Sequence, residues 1–213
     1  MKTVTPSQKI RFRPGFTLVE LLVVISLIAV LAALVLAGSV GILKKIKRDQ
    51  IRNFMAELQG GLEDYKIDNG IYPLNPDPRG GTPSVPGYGG QDGEAVAGSA
   101  VLYQHLSGDF DTDGNVDADE TVYVERLDYW SNNRNPPPEV VRSVEVGADL
   151  YLVVDPLGSP IRYLAYAPGK VQEALQARKV RNPTYDLWSI AGAEPGSEDF
   201  TDEATWITNW GTN

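Results

Sequence analysis

The chain has 213 residues, with 28 acidic and 19 basic residues, a formal net charge of −9 and no cysteine. The lack of cysteine excludes disulfide bonds and thiolate chemistry. The negative charge repels phosphate backbones and argues against a nucleic-acid partner. A small domain without disulfides often needs another stabilising element, and an acidic chain attracts cations, so a bound metal is a reasonable expectation.

The N-terminal region combines a basic leader with a long apolar run. Residues 1–15 hold four basic residues and no acid, and no residue from Leu21 to Leu43 is charged. As a helix with a rise of about 1.5 Å per residue, this run is roughly 34 Å long and can cross a hydrocarbon core of about 30 Å. Glu20 lies directly before it, where an unpaired charge costs about 3 kcal/mol. We therefore expect Glu20 to have a partner; the alternative is a plain membrane anchor with Glu20 among the lipid headgroups.

The residues around this junction resemble a known processing signal. A basic leader followed by Gly15-Phe16-Thr17-Leu18-Val19-Glu20 is similar to the type III signal sequence of type IV pilins and type II secretion pseudopilins. An ordinary secretory signal peptide has a shorter apolar core and a cleavage site after it, which fits less well. The resemblance implies that a prepilin peptidase cleaves between Gly15 and Phe16 and that the new amine is methylated. It also implies that Glu20 pairs with this amine and sets the register of subunits during assembly.

Residues 44–70 are predicted to continue the same helix with one apolar face. Apolar residues recur at spacings of three and four, which is typical of an amphipathic helix: Ile51, Phe54, Met55, Leu58, Leu62 and Tyr65. Gly60-Gly61 lowers the helix propensity locally, and Asn69-Gly70 with Pro73 should end the helix. The segment from Tyr65 to Pro73 is also similar to the helix end of the G-type major pseudopilins of type II secretion.

The next segment contains a calcium-loop pattern. After an irregular stretch over 72–94 and a predicted short helix within 94–107, residues 109–120 match D-x-[DN]-x-[DN]-G-x5-E in full. The predicted ligands are Asp109, Asp111, Asp113, Asn115, Asp117 and Glu120, with Gly114 at the bend. We expect a weak structural calcium site with a dissociation constant on the order of 10⁻⁴ to 10⁻³ M; the alternative is a solvated acidic turn. The alternation over 121–127 predicts a strand, and His105 is expected on the surface.

Strand-like runs fill the C-terminal part, over 150–154, 161–166 and 185–190, with a short helix within 171–179. Residues 155–163, 185–189 and 207–210 are similar to segments of the G-type family, in which the loop between the last two holds calcium. In this chain that loop has one residue more and its acids are rearranged. A second calcium site using Ser189, Glu194, Asp199 and Asp202 is an expectation with the right ligand types but altered spacing; solvated surface acids are the alternative.

Together these features predict an α+β, pilin-like ladle: a cleaved leader (1–15), a transmembrane and filament-core helix (16–43), its amphipathic continuation (44–70), and a soluble domain (71–213) with a small antiparallel sheet. The resemblance implies a non-enzymatic subunit of a type II secretion pseudopilus, anchored by one span in the bacterial inner membrane with its domain in the periplasm. The implied partners are further copies of the chain, prepilin peptidase, the inner-membrane assembly platform and minor pseudopilins. A type IV or competence-type pilin and a minor pseudopilin are the alternatives.

Overall fold

The computed structural model describes residues 16–75, 83–116, 118–127, 142–147, 149–193 and 197–211. Within the first helix, the side chains of residues 35–43 lie outside this description. The predicted leader, with Gly15, also lies outside it. The chain divides into two compact units, one up to Lys44 and one from Lys45 onward.

The first element is a helix of 52 residues, α1 (Leu18–Asn69). It ends as the sequence predicts: Gly70 has a φ of +79°, and its N–H donates to the Lys66 carbonyl at 2.8 Å. This left-handed conformation is the usual helix stop, and glycine adopts it without strain. Among the described residues, no helix has the combination of length and apolar character needed to cross a membrane.

The described residues of the second unit form three further α-helices and two 3₁₀ turns. The helices are α2 (Gly90–Leu106), α3 (Val171–Gln176) and α4 (Glu198–Thr201), and the 3₁₀ turns are Glu125–Leu127 and Glu203–Thr205. The predicted strand over 121–127 is therefore wrong. The N–H groups of Tyr123 and Val124 both donate to the Leu106 carbonyl at 3.0 Å, so this backbone caps the end of α2 instead of joining a sheet.

The strands in the described part of the chain form two small antiparallel sheets, whereas one was predicted. One sheet pairs β1 (Ser143–Gly147) with β2 (Leu150–Val153). The other places β4 (Asp186–Ser189) between β3 (Arg162–Leu164) and β5 (Ile207–Thr208). The coarse α+β class is confirmed. The ladle arrangement stays a prediction.

The main core lies between the second part of α1 (residues 45–69), helix α2 and the strands. The predicted apolar stripe is confirmed, since all six of its residues are buried in one cluster with Leu102, Tyr103, Tyr163 and Leu187. Helix α2 approaches β3 through Gly98, where an added Cβ would lie 1.9 Å from the Tyr163 carbonyl oxygen. Only glycine allows this backbone contact. Burial of each large apolar side chain contributes about 1.5–3 kcal/mol.

Candidate functional sites

The N-terminal segment begins with a capping box. Thr17 precedes the first residue of α1, and its hydroxyl oxygen accepts a hydrogen bond from the Glu20 N–H at 3.2 Å. In return, Glu20 Oε2 accepts from the Thr17 N–H and the Thr17 hydroxyl, both at 2.8 Å. This reciprocal pattern satisfies helix N–H groups that lack intrahelical partners. The capping role of Thr17 was not predicted from the sequence, although T-x-x-E before an apolar run is the recognised signal of a capping box.

The first part of α1 presents apolar side chains on every face. Phe16 is 83% exposed, Leu31 61% and Leu34 66%. Thirteen large apolar residues of this segment are at least 45% exposed: Phe16, Leu18, Val19, Leu21, Leu22, Val23, Val24, Ile25, Leu27, Ile28, Val30, Leu31 and Leu34. Exposure of such a continuous apolar surface to water is unfavourable, so this surface indicates contact with lipid or with another protein.

The acidic loop follows the end of α2 and is centred on a buried carboxylate. Asp109 is 1% exposed. Its Oδ2 accepts hydrogen bonds from the Tyr103 hydroxyl at 2.9 Å and from the Gly114 N–H at 3.1 Å. Its Oδ1 is buried without a hydrogen-bond partner in the described part of the chain. Asp109 therefore has one oxygen fixed to the protein and one oxygen left unsatisfied.

Two exposed aspartates complete the cluster. One carboxylate oxygen from each of Asp109, Asp111 and Asp113 lies within 4.8 Å of the other two. The loop bends because Asp111 Oδ1 accepts from the Asp113 N–H at 3.2 Å and Asp113 Oδ1 accepts from the Asn115 N–H at 2.8 Å. Gly114 permits the bend with a φ of +86°. The structure thus brings together three of the six predicted ligands.

The other predicted ligands differ in position. Asn115 is adjacent to the cluster through its contacts with Asp113, including one from its side-chain amide at 3.0 Å. Glu120 is exposed and is not part of the acidic cluster found among the described residues. Asp117 lies outside the described residues.

The electrostatics of Asp109 follow from its surroundings. Burial raises the pKa of the Asp109 carboxyl, and the nearby charges of Asp113 and Asp111 raise it further. The hydrogen bonds from Tyr103 and Gly114 act in the opposite direction. A cation placed among the three carboxylates would remove both causes of the rise, since it compensates for lost hydration and for mutual repulsion.

Comparison with known proteins bears on the N-terminal segment. Residues 11–36 match the family described as the prokaryotic N-terminal methylation motif. The match includes Gly15, Phe16 and Glu20, the residues for which a role in processing or assembly is predicted.

The chain is also similar to several type II secretion system core proteins G. The chain is 42% identical over 59 residues to that of Klebsiella pneumoniae, covering 28% of this chain and 42% of the relative. It is 33% identical over 66 residues to that of Vibrio cholerae serotype O1, covering 31% and 45%, and 41% identical over 59 residues to that of Escherichia coli K12, covering 28% and 41%. The match thus spans less than half of each relative. No solved structure matches the chain significantly. The predicted resemblance to the G-type pseudopilins is confirmed for the N-terminal region.

The predicted second metal site has other local roles in its described members. The Ser189 hydroxyl donates to Asp155 Oδ2 at 2.5 Å, and Asp202 Oδ1 accepts from the Ala204 N–H at 3.0 Å at the start of the second 3₁₀ turn. Asp199 is exposed, and its carbonyl accepts from the Thr205 hydroxyl at 2.8 Å. Glu194 lies outside the described residues. The second site stays a prediction.

The expectation that His105 is a surface residue is wrong. His105 is 5% exposed. Its ring lies 5.4 Å from that of Tyr65 and 5.3 Å from that of Phe110. The reason is the orientation of α2, which places this position against α1 and the start of the acidic loop.

Proposed function

We propose that the chain is a structural subunit of a type II secretion pseudopilus, which polymerises through its N-terminal helix into a helical filament that supports export of folded proteins. The observation that carries this proposal is the apolar surface of residues 16–34, which lies within the methylation-motif match over residues 11–36 and contains one acid, Glu20. The similarity of the N-terminal region to core proteins G supports secretion as the setting.

The apolar segment is proposed to have two successive environments. Before assembly, the uncharged run from Leu21 to Leu43 holds the subunit in the bacterial inner membrane as a single span, with residues 71–213 on the periplasmic side. A prepilin peptidase cleaves between Gly15 and Phe16, and the new amine is methylated. The assembly platform then moves the subunit into the filament, where other copies and minor pseudopilins replace lipid around the helix.

Glu20 is proposed to select the position of each incoming subunit. A carboxylate in an apolar environment is costly unless an opposite charge compensates for it. The amine released at Phe16 is such a charge, and in a filament it can belong to the neighbouring subunit. In this proposal the helix supplies the adhesion between copies, and the charge pair supplies their register. The role is structural and requires no catalysis.

A type IV or competence-type pilin is the second candidate, because the methylation motif by itself does not distinguish between these filaments. The named relatives favour the pseudopilus. Complementation of a secretion-deficient strain separates the two: restored export of a secreted enzyme supports the pseudopilus, whereas restored motility or DNA uptake without export supports the alternative.

The assembly proposal is tested with Glu20→Gln, produced together with the secretion machinery and prepilin peptidase. Glutamine can replace glutamate in a capping box, so this variant retains the helix cap and removes the charge. We expect loss of sheared filaments and of cross-linked multimers, while the subunit still accumulates in the membrane. Mass spectrometry of the parent should show a chain that begins at methylated Phe16.

The matched control is Thr17→Ala, which weakens the cap and retains the charge. We expect this variant to form filaments. The proposal is wrong if Glu20→Gln polymerises as well as the parent, or if the leader remains attached to the assembled subunit.

A further inference from the structure

We propose that the cluster of Asp109, Asp111 and Asp113 in the acidic loop is a calcium site anchored by the buried Asp109, and that bound calcium fixes the end of α2 to the segment 122–124. This inference is independent of the filament proposal, because it concerns a loop outside the N-terminal helix. Nothing in the match to the methylation motif assigns it.

The first argument is the unsatisfied oxygen of Asp109. Its Oδ2 is held by Tyr103 and Gly114, whereas its Oδ1 is buried without a partner in the described part of the chain. A buried, unpaired carboxylate oxygen is strongly unfavourable unless a donor or a cation compensates for it. The two hydrogen bonds to Oδ2 orient the carboxylate, which leaves Oδ1 as a preformed ligand atom.

The second argument is the charge of the cluster. Three carboxylate oxygens, from Asp109, Asp111 and Asp113, lie within 4.8 Å of one another. None of the ion pairs formed between described residues involves any of these three aspartates. Their mutual repulsion is therefore not balanced by a lysine or arginine within that part of the structure. A divalent cation would balance it with the fewest new contacts.

The chemistry of the ligands indicates which cation fits. All of the candidate ligand atoms are oxygens, which suit calcium or magnesium, whereas zinc sites in proteins usually include histidine or cysteine. Calcium accepts six to eight oxygens at about 2.3–2.6 Å in variable geometry, while magnesium requires a near-ideal octahedron. Calcium suits this loop better, because two of the three clustered aspartates are exposed. The motif assigns the remaining ligands to the neighbouring Asn115 backbone and to Glu120 at its last position.

The acidic loop is hydrogen-bonded to the core at both ends, so fixing the conformation of the loop also restrains the neighbouring core residues. Gln104 donates to the Phe110 carbonyl at 2.7 Å, and Tyr123 and Val124 donate to the Leu106 carbonyl. At Gly108, with a φ of +80°, an added Cβ would lie 2.7 Å from the Val122 side chain. Calcium bound at Asp109 would therefore hold α2 and the 122–124 segment in one arrangement, and it would stabilise the core next to Leu106.

The test is a titration of the mature full chain in detergent, after chelator treatment, with calcium chloride or magnesium chloride to about 10 mM, a range set by the dissociation constants expected for such sites. We expect a calorimetric binding signal with calcium, a higher melting temperature, and a weaker response to magnesium. An absence of binding over this range, or equal binding of the two ions, would overturn the proposal.

Two variants and a control locate the site. Asp111→Ala with Asp113→Ala removes the side-chain ligand oxygens of two exposed residues without altering the core, and we expect it to abolish the calcium-induced rise in melting temperature. Without calcium, its melting temperature should equal or exceed that of the parent, because repulsion is reduced. Asp119→Asn removes an exposed acid of the same loop at a position the motif does not assign to a ligand, and it should respond to calcium as the parent does. An unchanged calcium response in the double variant would refute the assignment.

Discussion

The two parts of α1 differ in where their stabilising contacts come from. In the second part, Ile51, Leu58 and Leu62 are fully buried within the same chain, and polar residues occupy the opposite face. In the first part, Leu31 and its neighbours are mostly exposed, and no polar face exists before residue 35. One continuous helix therefore combines a segment stabilised by its own domain with a segment that needs another molecule to cover it. The pattern of apolar residues, and not helix propensity, distinguishes them.

Alanine substitutions in the two parts should give the largest contrast. Leu58→Ala removes a fully buried side chain and should lower the free energy of unfolding by about 2–5 kcal/mol. Leu31→Ala, at a position that is 61% exposed, should leave this free energy almost unchanged. Urea unfolding of the full chain in detergent, followed by near-ultraviolet circular dichroism, measures both.

Equal losses for the two variants would contradict the division of α1 into self-contained and partner-dependent parts. Filament yield provides the complementary measurement. There we expect Leu31→Ala to reduce assembly even though it leaves the domain intact.

Alanine substitutions at the two adjacent glycines in the second part of α1 should change the stability of the chain in opposite directions. An added Cβ at Gly60 meets nothing within 4 Å, so Gly60→Ala should stabilise the chain by about 1 kcal/mol through improved helix propensity. An added Cβ at Gly61 would lie 2.3 Å from Val124 Cγ2. Gly61→Ala should therefore cost about 1–3 kcal/mol, as is typical of overpacking. Thermal melting of both variants measures the difference, and stabilisation by Gly61→Ala would show that the buried face is loosely packed.

The buried carboxylate of Asp186 should make the stability of the domain depend on pH, in contrast to the substitutions above, whose effects come from packing or helix propensity. Burial raises the pKa of the Asp186 carboxyl, although hydrogen bonds from the N–H groups of Arg181 and Asn182, at 2.6 and 2.8 Å, act in the opposite direction. Because the folded pKa lies above the unfolded value, the folded state gains a proton first as the pH falls. The parent should therefore gain stability from Asp186 on acidification through its folded pKa toward about pH 4.

This gain is measured against Asp186→Asn, which lacks the titrating group. The stability of the parent relative to this variant should increase by about 1 kcal/mol or less between about pH 7 and about pH 4, since one unit of pKa corresponds to about 1.4 kcal/mol. A fall in the relative stability of the parent would contradict the raised pKa.

The features that the sequence predicts well are those determined by local chemistry. The end of α1 follows from Gly70, the processing motif follows from a contiguous string of residues, and the acidic cluster follows from the spacing of Asp109, Asp111 and Asp113. The spacing did not indicate Tyr103, which orients Asp109 from the preceding helix. That contact depends on how the loop folds back onto α2.

The features that the sequence predicts poorly are those that depend on tertiary contacts. The alternation over 121–127 is typical of a strand, but Tyr123 and Val124 find their hydrogen-bond acceptor at the end of α2. His105 is buried because α2 packs against Tyr65, a contact between residues far apart in the sequence. Strand β5 has only two residues and too little sequence to form a recognisable pattern.

The hydrogen bonds at the start of α1 have one more consequence. Both contacts from Thr17 reach the same oxygen of Glu20, Oε2, and the other oxygen has no hydrogen bond to any described residue. A lone subunit can thus keep its first helical turn closed while it presents a free lone pair outward. In the proposed filament, a neighbouring subunit would bond to this second oxygen without breaking the cap, so lateral association would not have to begin with fraying of the helix.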